Sequence, residues 1–184
     1  WVYFIDEGNV TIDAGANSLE VVFTQGGNDA INASSAVTAF AAYGGGGNDT
    51  ITGGAGNDGL FGQDGDDTIS GGDGSDVILG EGGNDTLDGG AGGDLLAGGA
   101  GADTFVFSSA LGGGNIDTLS DFNVADDTIE LDVSIFAGIG LGVLDANAFV
   151  IGSAAADADD RIIYDAATGA LYYDADGDGA GAAI

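Results

Sequence analysis

Large apolar side chains recur at every ninth residue through the middle of the chain. They are Ile51, Leu60, Ile69, Ile78, Leu87, Leu96 and Phe105. One inward-facing residue with two outward-facing neighbours is the pattern of a short β-strand buried on one face. The intervening residues are rich in glycine, which permits the positive φ angles of tight turns. The pattern predicts that each repeat is a half-turn, and hence that two repeats form one coil whose short strands pair in parallel with those of the next.

The apolar pattern is less regular on both sides of this array. Before it, the segments WVYFI, NVTID, LEVVFTQ and VTAFAAY are apolar or alternating and are separated by Gly and Asn, so we expect irregular β coils. After it, RIIYDAATGALYYDADGDG predicts a β-hairpin with its turn at 166–169, which would cover an open end of the stack. We therefore expect irregular coils at 1–43, a regular roll at 44–107 and a β-rich C-terminal cap at 108–184.

An aspartate stands two residues before each apolar position, at Asp49, Asp58, Asp67, Asp76, Asp85, Asp94 and Asp103. The formal charge of the chain is −30, and Arg161 is its only basic residue. Stacked carboxylates repel one another. One buried apolar side chain per repeat also offsets little of the conformational entropy lost on ordering that repeat. The array therefore needs a cation.

Calcium is the cation that suits this pattern. It takes about six to eight oxygen ligands at roughly 2.3–2.6 Å, whereas magnesium requires a tighter octahedron and keeps its water. Aspartates two repeats apart lie on the same side of adjacent coils, and the glycine-rich turns let backbone carbonyls approach an ion between them.

Seven consecutive nonapeptides from Gly44 to Val106 share the form G-G-x-G-x-D-x-U-x, where U is large and apolar. This motif resembles the RTX calcium-binding repeat of secreted bacterial proteins. The resemblance implies an all-β parallel β-roll, or β-solenoid, with about five calcium ions. In that family one turn supplies the carbonyls two and four residues before its aspartate, and the turn two repeats later supplies those three and five before its own.

Transferred to this chain, that rule gives candidate calcium ligands in five pairs of turns. They are Gly45, Gly47, Asp49, Gly54, Gly56, Asp58, Gly62, Gln63, Asp64, Gly65, Asp67, Gly71, Gly72, Asp73, Gly74, Asp76, Gly80, Glu81, Gly82, Gly83, Asp85, Gly89, Ala91, Asp94, Gly98, Ala100 and Asp103. Gln63 and Glu81 replace a glycine of the motif. Since ligation there is by the backbone, we expect it to survive, and we expect an ordinary φ at both positions.

Further calcium sites are open at both ends of the array. Asp29 stands two positions further from Asp49 than a spacing of two repeats requires, so we expect side chains more than metal to hold the N-terminal coils. Asp121 follows Asp103 at the spacing of two repeats, and Asp117 is nearby; either would complete a terminal site. Asp174, Asp176 and Asp178 match the first half of an EF-hand loop, with an acidic turn as the alternative.

The composition excludes several classes of function. With 31 acidic residues, the chain lacks the basic contacts that nucleic-acid binding requires. It has no apolar run long enough to span a membrane. It contains no His and no Cys, hence no Ser-His-Asp triad, no Cys nucleophile and no disulfide, so we do not expect an enzyme. We assign Arg161 no function.

Two hypotheses of function fit these observations best. The resemblance implies a secreted, non-catalytic module, exported by a type I secretion apparatus and folding on calcium outside a bacterial cell or at its surface. The alternative is a self-assembling building block of a filament, surface layer or matrix. The aromatic segment WVYFI favours this alternative. The ends at Trp1 and Ile184 favour it as well, because both indicate a processed product or a fragment. A carbohydrate-binding adhesin ranks third, since it needs a row of exposed aromatic side chains.

Overall fold

A computed structural model describes residues 2–4, 8–14, 20–110, 114–136, 149–151, 162–165, 170–173 and 182–183 of the chain, and these contain strands and turns but no helix. Two seven-stranded parallel sheets form the main body. The odd sheet contains β1 Val2–Phe4, β3 Val21–Phe23, β5 Ala41–Gly46, β7 Gly59–Asp64, β9 Val77–Gly82, β11 Leu95–Ala100 and β13 Thr118–Leu119, hydrogen-bonded in that order. The even sheet contains β2 Thr11–Asp13, β4 Ala30–Asn32, β6 Thr50–Thr52, β8 Thr68–Asp73, β10 Thr86–Ala91, β12 Thr104–Phe107 and β14 Thr128–Leu131.

The chain alternates between the two sheets, so each pair of consecutive strands is one coil of a β-solenoid. Between β5 and β11 the strands pair at a constant spacing of two repeats, as in Gly59↔Val77. The N-terminal coils are longer: Val2 pairs with Val21, and Val21 with Ala41. This architecture confirms the predicted all-β parallel roll and the continuation of its coils toward the N-terminus.

The core is a double column of apolar side chains between the sheets. The even sheet supplies Ile12, Ile31, Ile51, Ile69, Leu87 and Phe105, and the odd sheet supplies Val22, Ala42, Leu60, Ile78 and Leu96. The strands of the central coils, at 59–100, are six residues long rather than the three that the motif suggests. Pairing continues past the apolar residue into the glycines, as in Gly72↔Gly90, because residues without large side chains let neighbouring coils approach closely.

Three aromatic rings stack against one another on the odd sheet. On the odd sheet the rings of Phe23, Tyr43 and Phe61 stack in parallel, with centroids 4.5 and 4.6 Å apart. Both faces of the Tyr43 ring therefore contact a neighbouring ring. This stack joins three neighbouring strands of the odd sheet.

A separate four-stranded sheet lies in the C-terminal region. It contains β15 Phe149–Ile151, β16 Ile162–Asp165, β17 Ala170–Tyr173 and β18 Ala182–Ala183. Strands β16 and β17 pair in the antiparallel sense expected of the predicted hairpin, while the predicted turn at 166–169 lies outside the described residues. The ring of Tyr173 meets that of Phe136 edge to face at 5.0 Å. Within the described part of the chain, no helix is long and apolar enough to cross a membrane.

Candidate calcium sites

Two columns of aspartates run along the solenoid at the turns that precede its strands. The turns before the even strands carry Asp29, Asp49, Asp67, Asp85, Asp103 and Asp127, here called the even column; those before the odd strands carry Asp58, Asp76, Asp94 and Asp117, the odd column. The members from Asp29 to Asp103 are 1–3% exposed. Buried carboxylates require compensating partners, and each of them has two oxygens to satisfy.

One oxygen of each carboxylate is satisfied by the backbone. The amide N–H of Asp49 donates to Asp67 Oδ1 at 2.7 Å, and that of Asp67 donates to Asp85 Oδ1 at 2.8 Å. The odd column repeats this with Asp58 N–H and Asp76 Oδ1, at 2.8 Å. Each aspartate thus fixes the carboxylate of the next coil, so the side chain has a defined direction before any ion is considered.

The second oxygen of most of these carboxylates has no hydrogen-bond partner. The buried Oδ2 atoms without a donor belong to Asp29, Asp49, Asp67, Asp76, Asp85, Asp94 and Asp103. The exception in the series is Asp58, whose Oδ2 accepts from Gly54 N–H at 2.9 Å. A row of buried, unpartnered carboxylate oxygens is costly unless cations lie against it.

A glycine five residues before each aspartate from Asp49 to Asp103 lets the carboxylate lie close against the backbone. A Cβ added at Gly62 would collide with Asp67 Oδ2 and lie 2.9 Å from Gly80 O; one at Gly44 would collide with Asp49 Oδ2 and lie 2.8 Å from Gly62 O. The φ of these glycines is not in the left-handed region, so the backbone does not require glycine there. The absent side chain instead lets a carboxylate oxygen and a carbonyl oxygen of the next coil approach the same glycine, and this arrangement is called here a glycine pocket.

Five glycine pockets pair an aspartate Oδ2 with a carbonyl oxygen from the following coil. They lie at Gly44, Gly53, Gly62, Gly71 and Gly80. Their carbonyls belong to Gly62, Gly71, Gly80, Gly89 and Gly98, which are among the ligands that the sequence suggests. Carboxylate and carbonyl oxygens are the ligands that calcium prefers.

Backbone carbonyls have to supply the rest of each coordination shell. Among the residues described, no three acidic side chains converge on one point. Asp64 and Asp73, both candidate ligands, have exposed side chains. The carbonyl of Asp64 lies inside the turn, where it accepts a hydrogen bond from Gly47 N–H at 2.8 Å. Asp64 is therefore placed to contribute its backbone oxygen rather than its carboxylate.

Burial makes the ionised carboxylates unfavourable in the absence of a cation. Desolvation raises the pKa of Asp67 to about 7 and the pKa values of Asp49, Asp76 and Asp85 to about 6. The amide N–H that donates to Asp67 Oδ1 lowers the pKa of Asp67, and the neighbouring carboxylates of the column raise it further. The pKa values of Asp58, Asp94 and Asp103 are raised as well, mainly by burial. A divalent cation would reverse this preference.

The backbone at Gln63 and Glu81 differs from our expectation. Their φ angles are 81° and 77°, so the expected ordinary φ is wrong. Both residues occupy the position of Gly45 and Gly99 in neighbouring coils, which have φ values of 100°. The turn fixes the local backbone through its hydrogen bonds to adjacent coils, and a residue with a side chain has to adopt the left-handed conformation at a cost.

At the C-terminal end, the spacing of the aspartates changes. Asp117 follows Asp94 in the odd column, and Asp94 N–H donates to Asp117 Oδ1 at 3.0 Å. Asp127, which the sequence analysis missed, follows Asp103, whose N–H donates to Asp127 Oδ1 at 3.0 Å. Asp121 lies outside the column and accepts from Gly98 N–H and Gly99 N–H. The D-T-U triplet at Asp127 was the available signal, but an insertion lengthens this coil.

Asparagine and aspartate side chains one residue before the even column form a second, exposed ladder. Asn48 Oδ1 accepts from Asp66 N–H at 3.2 Å, and Asp66 Oδ1 accepts from Asn84 N–H at 2.8 Å. This ladder satisfies turn amides without using the buried carboxylates. The possible EF-hand residues Asp174, Asp176 and Asp178, and also Arg161, lie outside the described residues.

The central repeats match a known protein family. The family model of the RTX calcium-binding nonapeptide repeat, which contains four copies, matches residues 43–78 and 70–105. The match covers the coils with glycine pockets and leaves the N-terminal coils and the four-stranded sheet outside. No curated protein matches the chain.

Proposed function

Since residues 43–105 are RTX calcium-binding nonapeptide repeats and form a calcium-binding β-roll, we propose that the chain is a secreted structural module that folds when calcium fills its glycine pockets. The observation that supports this most strongly is the row of buried Oδ2 atoms without partners; from Asp49 to Asp103 each of these lies against a glycine at which a Cβ would collide with it. The proposed module has no catalytic role.

We place five ions in the roll. The first lies between Asp49 and Asp67, and the others between the pairs Asp58 and Asp76, Asp67 and Asp85, Asp76 and Asp94, and Asp85 and Asp103. Each ion would receive Oδ2 of the earlier aspartate and the carbonyl that faces it across the pocket. Asp117 and Asp121 remain candidate ligands of a terminal site beyond these five.

In this proposal, calcium binding and folding are one process. Unfolded carboxylates are far apart, and only the stacked coils bring them together with the carbonyls, so the binding free energy becomes folding free energy. Extracellular calcium modules bind with dissociation constants of about 10⁻⁴–10⁻³ M. The chain would therefore be unfolded where calcium is scarce, as a type I secretion apparatus requires, and would fold outside the cell.

The three regions then have different roles. The roll at 44–107 binds the ions, the coils at 1–43 extend its sheets with side-chain packing, and the region at 108–184 covers its C-terminal end. Phe136, which is fully buried and contacts Tyr173, supports the last assignment because it joins the end of the solenoid to the four-stranded sheet.

A calcium titration of the intact chain tests the proposal. We expect the far-ultraviolet circular dichroism to change from disordered to β as calcium rises to millimolar levels, and a chelator to reverse the change. Native mass spectrometry of the same samples counts the ions, and magnesium at equal concentration serves as the control. Full β structure after exhaustive chelation at neutral pH would contradict the proposal.

Self-assembly is a second candidate, favoured by the open edges of the sheets. In the described part of the chain, β1 and β2 are terminal strands with a partner on one side only. Such edges can pair with another copy and produce filaments. Light scattering during the same titration distinguishes the candidates: scattering that grows with calcium and protein concentration supports assembly, and constant scattering supports a monomeric module.

A further inference from the structure

One coil lacks the glycine pocket although its aspartate is in place. Thr24 occupies the register position of Gly44, Gly62 and Gly80, because β3, β5, β7 and β9 pair in parallel without a shift through this position. Asp29 is the aspartate of that coil. The first level of the even column therefore combines a buried carboxylate with a residue that has a side chain where the other levels have none.

The Thr24 side chain lies inside the coil stack. It is 4% exposed, and its hydroxyl donates to the carbonyl oxygens of Gly44 and, at 3.1 Å, of Tyr43. Gly44 O is the counterpart of Gly62 O, which borders the pocket one level further along. The threonine thus contacts the carbonyl that an ion would use. Its Cβ occupies the position that corresponds to a Cβ added at Gly44, which would collide with Asp49 Oδ2.

The rest of this level resembles the levels that have pockets. Asp29 is 3% exposed, and its Oδ1 accepts from Val10 N–H at 2.8 Å. Asp29 N–H in turn donates to Asp49 Oδ1 at 2.8 Å, and Asp29 Oδ2 is buried without a hydrogen-bond partner. The extra residues in the connection to the next coil have not displaced the carboxylate from its column.

We propose that Thr24 closes a sixth calcium site between Asp29 and Asp49 and so sets the N-terminal limit of the ion column. This inference rests on the proposed calcium function. The odd column ends at the same level for a different reason. Ala33 occupies the glycine position beside Gly53, and buried Phe40 occupies the aspartate position. The N–H of Phe40 donates to Asp58 Oδ1 at 2.8 Å. The odd column thus loses both elements of a site, whereas the even column loses only the glycine.

The test compares calcium stoichiometry at saturation among the wild type, Thr24→Gly and Thr24→Val, by native mass spectrometry. We expect Thr24→Gly to bind one ion more than the wild type. Thr24→Val keeps the branched side chain without the hydroxyl, and we expect it to bind as many ions as the wild type. Asp29→Asn added to Thr24→Gly should remove the additional ion.

Three results would overturn the inference. An unchanged count in Thr24→Gly would mean that the side chain does not close a site. One ion fewer in Thr24→Val would mean that the hydroxyl is itself a ligand. One ion fewer in the single variant Asp29→Asn would mean that the wild type already binds there. A wild type that binds no calcium would instead contradict the proposed function, and circular dichroism at saturating calcium verifies that each variant folds.

Discussion

The central coils and the N-terminal coils share one fold but differ in what fills the turns. In both, parallel strands enclose a column of aliphatic side chains. In the central coils the turn interior holds unpartnered carboxylates beside glycines, as at Asp67 and Gly62. In the N-terminal coils it holds Thr24, Ala33 and Phe40, and the one unpartnered carboxylate there, Asp29, has Thr24 in place of the glycine. The same backbone path can therefore be stabilised by bound ions or by side chains, and the residue at the glycine position separates the two cases.

The largest effect is expected from closing a central pocket. Gly62→Ala places a methyl group against Asp67 Oδ2 and near Gly80 O, without any change in preferred φ. We expect the loss of one ion and of about 3 kcal/mol of stability at saturating calcium, in the range of severe single substitutions. Calcium stoichiometry and chemical denaturation measure both quantities.

The matched control is the opposite exchange in the N-terminal coils. Ala33→Gly should leave the ion count unchanged and cost about 1 kcal/mol, because glycine loses more conformational freedom on folding than alanine does. Equal losses of stability in the two variants, with no ion lost from Gly62→Ala, would remove the distinction between the regions.

A comparison of two aspartates tests an effect of similar size. Asp67 lies between two proposed ions, so Asp67→Asn should weaken both and reduce stability in calcium by about 3 kcal/mol. Asp29 is buried to a similar degree and has no proposed ion, and Asp29→Asn replaces a carboxylate whose Oδ2 lacks a hydrogen-bond partner. We expect Asp29→Asn to change stability in calcium by less than about 1 kcal/mol. A greater loss for Asp29→Asn than for Asp67→Asn would reverse the assignment of the two regions.

The effect of pH should have opposite signs with and without calcium. In the calcium-free fold, the pKa of Asp67 is raised to about 7 and those of Asp49 and Asp76 to about 6, from an ordinary value of 3.8. The folded chain then binds more protons than the unfolded chain, so the stabilisation is complete below about pH 4 and is lost as pH rises through 6 to 7. With calcium, protons compete with the ions and stability rises with pH over the same range.

Circular dichroism of the chelated and the calcium-saturated protein, at pH 5 and pH 7.5, measures this reversal. We expect the chelated protein to contain more β structure at pH 5 than at pH 7.5. If acid reduced the β structure of both samples, the buried carboxylates would not be the groups that oppose folding in the absence of calcium.

The smallest effect is expected at the two residues with positive φ. Glycine relieves the left-handed strain at Gln63 or Glu81 but adds freedom to the unfolded chain, so the two contributions partly cancel. We expect Gln63→Gly and Glu81→Gly to stabilise the calcium-bound protein by up to about 1 kcal/mol in thermal or chemical denaturation. Substantial destabilisation would mean that the side chains themselves make stabilising contacts.

The repeat made the fold and the aspartate columns predictable, because its constant period defines both the inward position and the turn. Features that depend on insertions were not predictable in the same way. Asp127 continues the even column although its distance from Asp103 in the sequence exceeds two repeats. The regular spacing pointed instead to Asp121, which binds the amides of Gly98 and Gly99. The backbone at Gln63 follows its neighbours in the stack rather than its own preference, and a single repeat does not reveal that.

Hydrogen exchange measured as calcium is withdrawn tests the central claim most directly, since it reports each region of the intact chain separately. The account predicts that amides of the central coils, at 59–100, lose protection together, at the calcium concentration at which the ions dissociate, and that adding calcium restores it. Protection of these coils that persisted at neutral pH with no calcium bound would show that the glycine pockets and their carboxylates do not need ions, and it would contradict the account.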